Sequence, residues 1–147
     1  PRQQPTTIAD RIIVEKSKHQ LHLQSRGRII RSYQIALGPN HQGHKQREGD
    51  GRTPEGIYRI DYRNPHSAYH RSLHISYPAA ADQQRAAAVG DNPGSDIMIH
   101  GLGKQFAAIG KLHTTTDWTL GCIAVTNDEI EEIWKLVPNG TIIEIKP

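Results

Sequence analysis

Within this chain disulfides are excluded, because its 147 residues hold a single cysteine, Cys122. A lone cysteine is either an inert small core residue or a reactive thiol. Aromatics are scarce, with two Trp, five Tyr and one Phe, so stacking platforms of the kind that bind single-stranded nucleic acid have little to draw on. No sign of charge dominates either. Lys and Arg number 18 against 15 Asp and Glu, a formal net charge of +3. The basic residues (Arg11, Lys16, Lys18, Arg26, Arg28, Arg31, Lys45, Arg47, Arg52) are spread along the chain with few aromatics between them, and no nucleic-acid partner is expected. No apolar run approaches the roughly 20 residues a membrane span needs, so no transmembrane segment is expected. An initiator methionine is lacking too. The sequence opens on Pro1, and any export signal is expected to lie outside it.

What is present is enough for one globular domain. About a third of the residues are apolar (35%), which suits a single core at this length. Residues 1–7, PRQQPTT, form a polar lead-in, and residues 8–147 read as the domain. Ile12–Glu15, Leu21–Gln24 and Ile29–Leu37 are strand-like, separated by polar turns, which is a meander signal. Residues 38–52 hold four glycines and many charges and read as a long loop. Thr53-Pro54-Glu55-Gly56 reads as a turn. Ile57–Tyr62 alternates, 63–72 looks irregular, and Leu73–Tyr77 is a further strand. Asp82–Val89 is rich in helix formers and stops at Gly90. Ile97–Ile99 and Ile123–Val125 are short apolar strands. Thr126 and Glu129 make a capping box. Ile130, Ile133, Trp134 and Val137 follow at helical spacing, and Thr141–Ile145 closes the chain. The fold class expected is mainly β, of sandwich or meander type, with one or two short helices.

Nine histidines invite a metal reading. His66, His70 and His74 recur every four residues, and His19/His22 and His41/His44 are H-x-x-H pairs. Zinc needs about three or four converging ligands. Pro65 and the alternation over Leu73–Tyr77 oppose a helix that would stack the first three, and no carboxylate or thiol stands at a recognised spacing. No metal and no cofactor are therefore expected, and a zinc hydrolase is the weaker reading.

The densest stretch is Thr119-Leu120-Gly121-Cys122-Ile123. A thiol at a loop–strand junction is accessible while its backbone is held, and Gly121 lets a substrate carbonyl approach closely. Backbone N–H groups of Gly121 and Cys122 could face a developing oxyanion. A thiol also needs a base. His100, at the end of Ile97–Ile99 and followed by Gly101, is the candidate. On the residues alone, Cys122 fits a small structural residue as well as a nucleophile. His100 fits a hydrogen-bonded partner as well as a base.

Ile99-His100-Gly101, followed after a gap by Thr119-Leu120-Gly121-Cys122-Ile123, resembles the signature of YkuD-type L,D-transpeptidase catalytic domains: His-Gly, then Ser/Thr-x-Gly-Cys and a strand. The opening meander with Leu37-Gly38 is similar to that family's first hairpins. Thr53-Pro54-Glu55-Gly56-Ile57-Tyr58 is similar to its Thr-Pro-x-Gly-aromatic segment, and Asn127 with the following helix matches its close. The likeness covers about residues 8–147. Asp117-Trp118, Asn64-Pro65, Ser72–Pro78 and Asp96–Gly101 resemble a periplasmic subgroup, one member of which cuts the link between an outer-membrane lipoprotein and peptidoglycan. Two departures stand out. Leu120 replaces the His that many members carry between Thr/Ser and Gly, and Ala124 replaces the Arg that many carry two residues after the Cys.

The resemblance implies a cysteine acyltransferase or amidase of the cell envelope, periplasmic, acting on peptidoglycan stem peptides. Cys122 would attack the carbonyl at the L-centre of diaminopimelate. His100, oriented by the Gly101 carbonyl, would take the thiol proton and later protonate the leaving amine. Tyr69, His74, Ser76 and Thr119 are expected to line the cleft. The thioester would then pass to water or to an amine. Hydrolysis that frees a lysine-linked lipoprotein is the favoured outcome. The alternatives are 3-3 cross-linking or lipoprotein attachment, and a non-catalytic wall-binding or regulatory domain.

Overall fold

The computed structural model describes residues 7–147; of the polar lead-in, only Thr7 falls among them. Eight strands lie in the order β3-β2-β1-β8-β4-β5-β6-β7. They are β1 (Arg11–Glu15), β2 (Gln20–Ser25), β3 (Arg28–Gln34), β4 (Gly56–Ser67), β5 (His70–Ile75), β6 (Met98–His100), β7 (Ile123–Ala124) and β8 (Ile142–Lys146). The opening meander is antiparallel, with Ile12 opposite Leu23 and Leu21 opposite Tyr33. β8, last in sequence, lies parallel to β1 and antiparallel to β4 in the middle of the sheet. At the far edge, Ala124 of β7 exchanges both backbone hydrogen bonds with Ala36, just past β3 at the opposite edge (both 3.0 Å). The sheet thus curls back on itself, and the bridge gives the short edge strand β7 a partner for its outward N–H and C=O groups.

The alternation read in the sequence decides which face is buried. Ile12, Val14, Leu21, Leu23, Ile60, Leu73, Ile75, Ile99, Ile123, Ile143 and Ile145 point into one core. Against it lies α3 (Asn127–Leu136), whose Ile130 and Ile133 are fully buried and whose capping box is complete. The Glu129 N–H donates to Thr126 Oγ1 (3.2 Å), and the Thr126 N–H donates to Glu129 Oε1 (2.9 Å). The guanidinium groups of Arg63 on β4 and Arg71 on β5 lie over Trp134, 4.3 and 4.7 Å from its ring centre, as cation–π contacts.

Two parts depart from the sequence reading. Residues 63–72 are not irregular: they carry the end of β4 and the start of β5. That ladder breaks register between Asn64 and Ser67, and the break, with Pro65, erased the alternation that would have announced it. Residues 104–115, for which no element was expected, form one helical turn, α2 (Lys104–Ala107), and a 3-10 segment, Gly110–Thr115. The remaining helix, α1 (Ala80–Ala88), starts two residues before the expected Asp82. Asp82 caps it by accepting the Ala79 N–H (2.9 Å).

Candidate active site

β6 and β7 run parallel, with Ile99 opposite Ile123 and His100 opposite Ala124. Cys122 therefore stands two residues before His100's partner, on the same face of the sheet. The two residues are diagonal neighbours across one strand pair. Ser72 faces His100 and His74 faces Met98 across β5 and β6, so His74 shares that face.

His100 is 3% exposed. Its Nδ1 lies 2.7 Å from the Gly101 carbonyl. A carbonyl can only accept, so the proton is on Nδ1 and the Nε2 lone pair is left as a base. Burial of the ring pushes its pKa below the ordinary 6.5, against the opposing pull of the Gly101 carbonyl. Tyr69 stacks on it at 4.3 Å, and Trp118 leans on it at 5.9 Å. Gly101 could hardly be anything else. A Cβ there would lie 2.7 Å from Asn127 Oδ1 and 2.9 Å from Ile130 Cγ2. Asn127, at the start of α3, uses that oxygen to accept the Leu102 N–H (2.7 Å). The first turn of α3 thus holds the His-Gly corner.

Burial, aided by the Asp96 carboxylate, pushes the half-buried Cys122 thiol above its ordinary 9.0. Its Sγ donates to the Asp96 carbonyl at 3.4 Å, and Asp96 adopts a left-handed φ of 58°. In this resting arrangement the thiol is neutral and bonded to Asp96, with a neutral imidazole as its diagonal neighbour. Such a pair is not a standing thiolate–imidazolium couple.

The nucleophile loop is held from three sides. Thr53 is fully buried and donates its hydroxyl to the Gly121 carbonyl (2.7 Å). In a trans peptide the C=O and the next N–H point opposite ways, so fixing the Gly121 carbonyl inward turns the Cys122 N–H outward. Gly121 sits at φ +125°, and a Cβ there would come within 2.7 Å of the Arg52 carbonyl. Thr119 accepts the Gly121 N–H (3.2 Å) and donates to the Cys122 carbonyl (2.8 Å).

These contacts revise two expectations. The Gly121 N–H is engaged by Thr119 inside the loop, so of the two expected oxyanion donors Cys122 remains. Thr119 is only 3% exposed and bonds to backbone within its own loop, so it positions that loop rather than lining a cleft. Tyr69 and His74 do border the face. His74 is tied to Asp61 (2.6 Å), stacks on Tyr62 (4.3 Å), and has Nε2 3.8 Å from Asp96. Ser76, two residues beyond His74, uses its hydroxyl to accept the Arg59 N–H (2.9 Å). Thr53, Asp96 and Trp118 were not singled out from the sequence as site residues. All three lay inside stretches that carried the family resemblance: Thr53 in Thr-Pro-Glu-Gly, Asp96 in Asp96–Gly101 and Trp118 in Asp117-Trp118.

Comparison with known proteins gives the family and the fold. The profile of the YkuD family, L,D-transpeptidase catalytic domain, matches residues 9–145. The YafK protein of Escherichia coli strain K12, assigned as an L,D-transpeptidase, is 29% identical over 116 residues, covering 78% of this chain and 39% of its own length. The YkuD protein of Bacillus licheniformis, likewise assigned, is 29% identical over 97% of this chain and 69% of its own length. Among solved structures, the helical cell shape determining protein Pgp2 of Campylobacter jejuni superposes with a TM-score of 0.71 at 23% identity, covering 95% of this chain and 48% of that one. The L,D-transpeptidase of Xylanimonas cellulosilytica gives 0.61 at 17%, covering 99% and 64%. The chain spans about two fifths of YafK and about half of Pgp2.

Proposed function

The chain belongs to the YkuD family of L,D-transpeptidase catalytic domains, and from that premise we propose that it is a cysteine-dependent enzyme of the cell envelope that cleaves the amide at the L-centre of diaminopimelate in peptidoglycan stems. The favoured outcome is hydrolysis that frees a lysine-linked lipoprotein. The observation that carries the chemistry is the held Gly121–Cys122 peptide beside an imidazole whose Nε2 is unprotonated. As a stem carbonyl enters, the Cys122 thiol leaves the Asp96 carbonyl and gives its proton to His100 Nε2. The sulfur bonds to the carbonyl carbon, and the Cys122 N–H steadies the oxyanion. Collapse expels the amine, which takes the proton back from His100 and leaves a thioester.

The choice of water as acceptor rests on position 124. Transfer needs a second stem held with its amine aimed at the thioester. Ala124 is fully buried and spends its backbone on Ala36, so it offers an acidic stem neither length nor charge. Water needs no anchor. The test is incubation of the purified domain with tripeptide muropeptides bearing a lysine-linked peptide, and separately with tetrapeptide ones, with products read by mass. Free tripeptide without dimers is the expected result, absent in Cys122→Ala. Abundant diaminopimelate–diaminopimelate dimers would restore cross-linking as the reaction. Full activity of Cys122→Ala would remove the cysteine mechanism.

A further inference from the structure

The sequence offered H-x-x-H pairs but no metal ligand set. Folding splits both pairs. His22 turns to Ser32 (2.8 Å) and Glu15 (3.2 Å), while His44 turns to Asp82 (2.7 Å) and accepts the Glu55 N–H (2.7 Å). Their partners His19 and His41 come together from different loops, ring centres 4.9 Å apart and edge to face. Both face Asp117. Its two oxygens each lie 3.0 Å from His19 Nε2, and His41 Nε2 is 3.5 Å from Oδ2. We propose that His19, His41 and Asp117 form a binding site for a divalent transition metal, zinc in the first instance, separate from the Cys122 thiol.

Donor type, convergence and access support it. One ligand atom from each residue falls within a set no more than 4.8 Å across. Zinc bonds of about 2.0–2.1 Å require donors about 3.3 Å apart, so closing by roughly an ångström and a half at most brings them onto an ion. Two imidazoles and one carboxylate suit zinc, cobalt, nickel or copper, and they disfavour magnesium and calcium, which take oxygen. Asp117 is already oriented: Oδ1 accepts the Leu37 N–H at 3.1 Å, leaving Oδ2 toward His41. His19 is fixed by its left-handed turn (φ 50°), with its N–H on the Lys16 carbonyl and its carbonyl on the Ile35 N–H. Clefts of about 410 and 400 Å³ meet at His19, and all three side chains remain partly exposed. Water can complete the coordination. Two lysines line these clefts, and each has a carboxylate partner: Lys16 pairs with Glu55 at 3.1 Å and Lys18 with Glu15 at 3.8 Å.

An ion here would tie the β1–β2 turn, the 38–52 loop and the nucleophile loop together one residue before Trp118. The test uses the metal-stripped domain carrying Cys122→Ala, so that the thiol cannot bind zinc. Zinc is titrated against a chromophoric chelator, and cobalt is added separately for its visible spectrum. One equivalent of zinc, bound at micromolar or tighter affinity with a visible cobalt spectrum, is expected. His41→Ala and Asp117→Asn should each weaken it at least tenfold, and His22→Ala should not. Each variant's metal-free melting checks its folding. If Asp117→Asn melts early, His41→Ala, a change in a surface loop, decides alone. No uptake, or uptake undiminished by His41→Ala, would overturn the site.

Discussion

At the scale of single residues, the proposed chemistry depends on a side chain buried behind the nucleophile loop, that of Thr53. Its hydroxyl bonds the Gly121 carbonyl inside the protein, and losing it frees the peptide whose other end is the Cys122 N–H. Thr53→Val keeps the volume and removes only that bond. Turnover is expected to fall about 10- to 100-fold, below the 10²–10³ typical of deleting an oxyanion donor outright. KM should hold nearly constant and circular dichroism should not change. An unchanged kcat would show that the Gly121 carbonyl needs no such anchor.

On the proposed mechanism, His100 sets the pH dependence. Its pKa lies below the ordinary 6.5, so the imidazole is neutral at pH 7 and becomes protonated, hence inactive as a base, only in more acid solution. The acid limb of kcat/KM should therefore be centred below 6.5. In His100→Ala that limb should vanish together with roughly 10²–10⁴-fold of rate. The thiol, raised above 9.0, should alkylate ever faster as pH climbs past 9. A plateau of labelling near neutrality would instead reveal a standing ion pair.

At the scale of elements, the 38–52 loop is the surprise. Its glycines and charges suggest slack, yet it is organised around Asp50. That carboxylate accepts the N–H groups of Gln46 (2.8 Å), Arg47 and Arg52 (both 3.1 Å), and pairs with buried Lys45 at 2.9 Å. Burial alone would raise its pKa, but these donors outweigh it and hold the group down to about 2 from the ordinary 3.8. A carboxylate lowered in the folded state stabilises the fold above its unfolded pKa, and that stabilisation drains away as pH falls through the folded value. Asp82 is lowered in the same way: bonds from His44, Ala79, Tyr58 and Arg85 overcome its burial. The domain should lose stability between pH 4 and 2, followed by chemical denaturation at each pH. In Asp50→Ala that slope should flatten. The variant should also lose about 3–5 kcal/mol at pH 7, because Lys45 is left buried without its partner. A slope equal to that of the parent protein would mean that other carboxylates govern acid unfolding.

At the scale of the whole molecule, the decisive fact is that the last strand lies in the middle of the sheet. β8 joins β1, from the start of the chain, to β4, so among the described residues the strand pairing that links the meander to the β4–β7 half runs through it and the Ala36–Ala124 bridge. Deleting residues 142–147 should therefore abolish cooperative thermal unfolding rather than trim a loose end. A truncated chain that still melts in one sharp transition would show that the halves fold independently. The same non-local pairing predicts slow folding, since loop closure must precede the contacts that reward it.

Much of this was legible beforehand where a local rule applies. A short apolar run marked β1, and alternating apolar residues marked β2 and the core face of β4. The Thr126–Glu129 box and the Ile130, Ile133, Trp134 spacing marked α3. The order His100-Gly101 then Gly121-Cys122 marked the candidate site and carried the family resemblance. These features follow from steric period, capping and motif, each contained within a few neighbouring residues. What only the tertiary structure decided is who stands opposite whom. Thr53 meets Gly121 across 68 positions, Cys122 rests on Asp96, and the Gly121 N–H is taken by Thr119. His19 and His41 abandon their sequence neighbours for Asp117. Such pairings depend on strand register and sheet closure, which are set by the packing of the entire core, and no window of sequence contains that information.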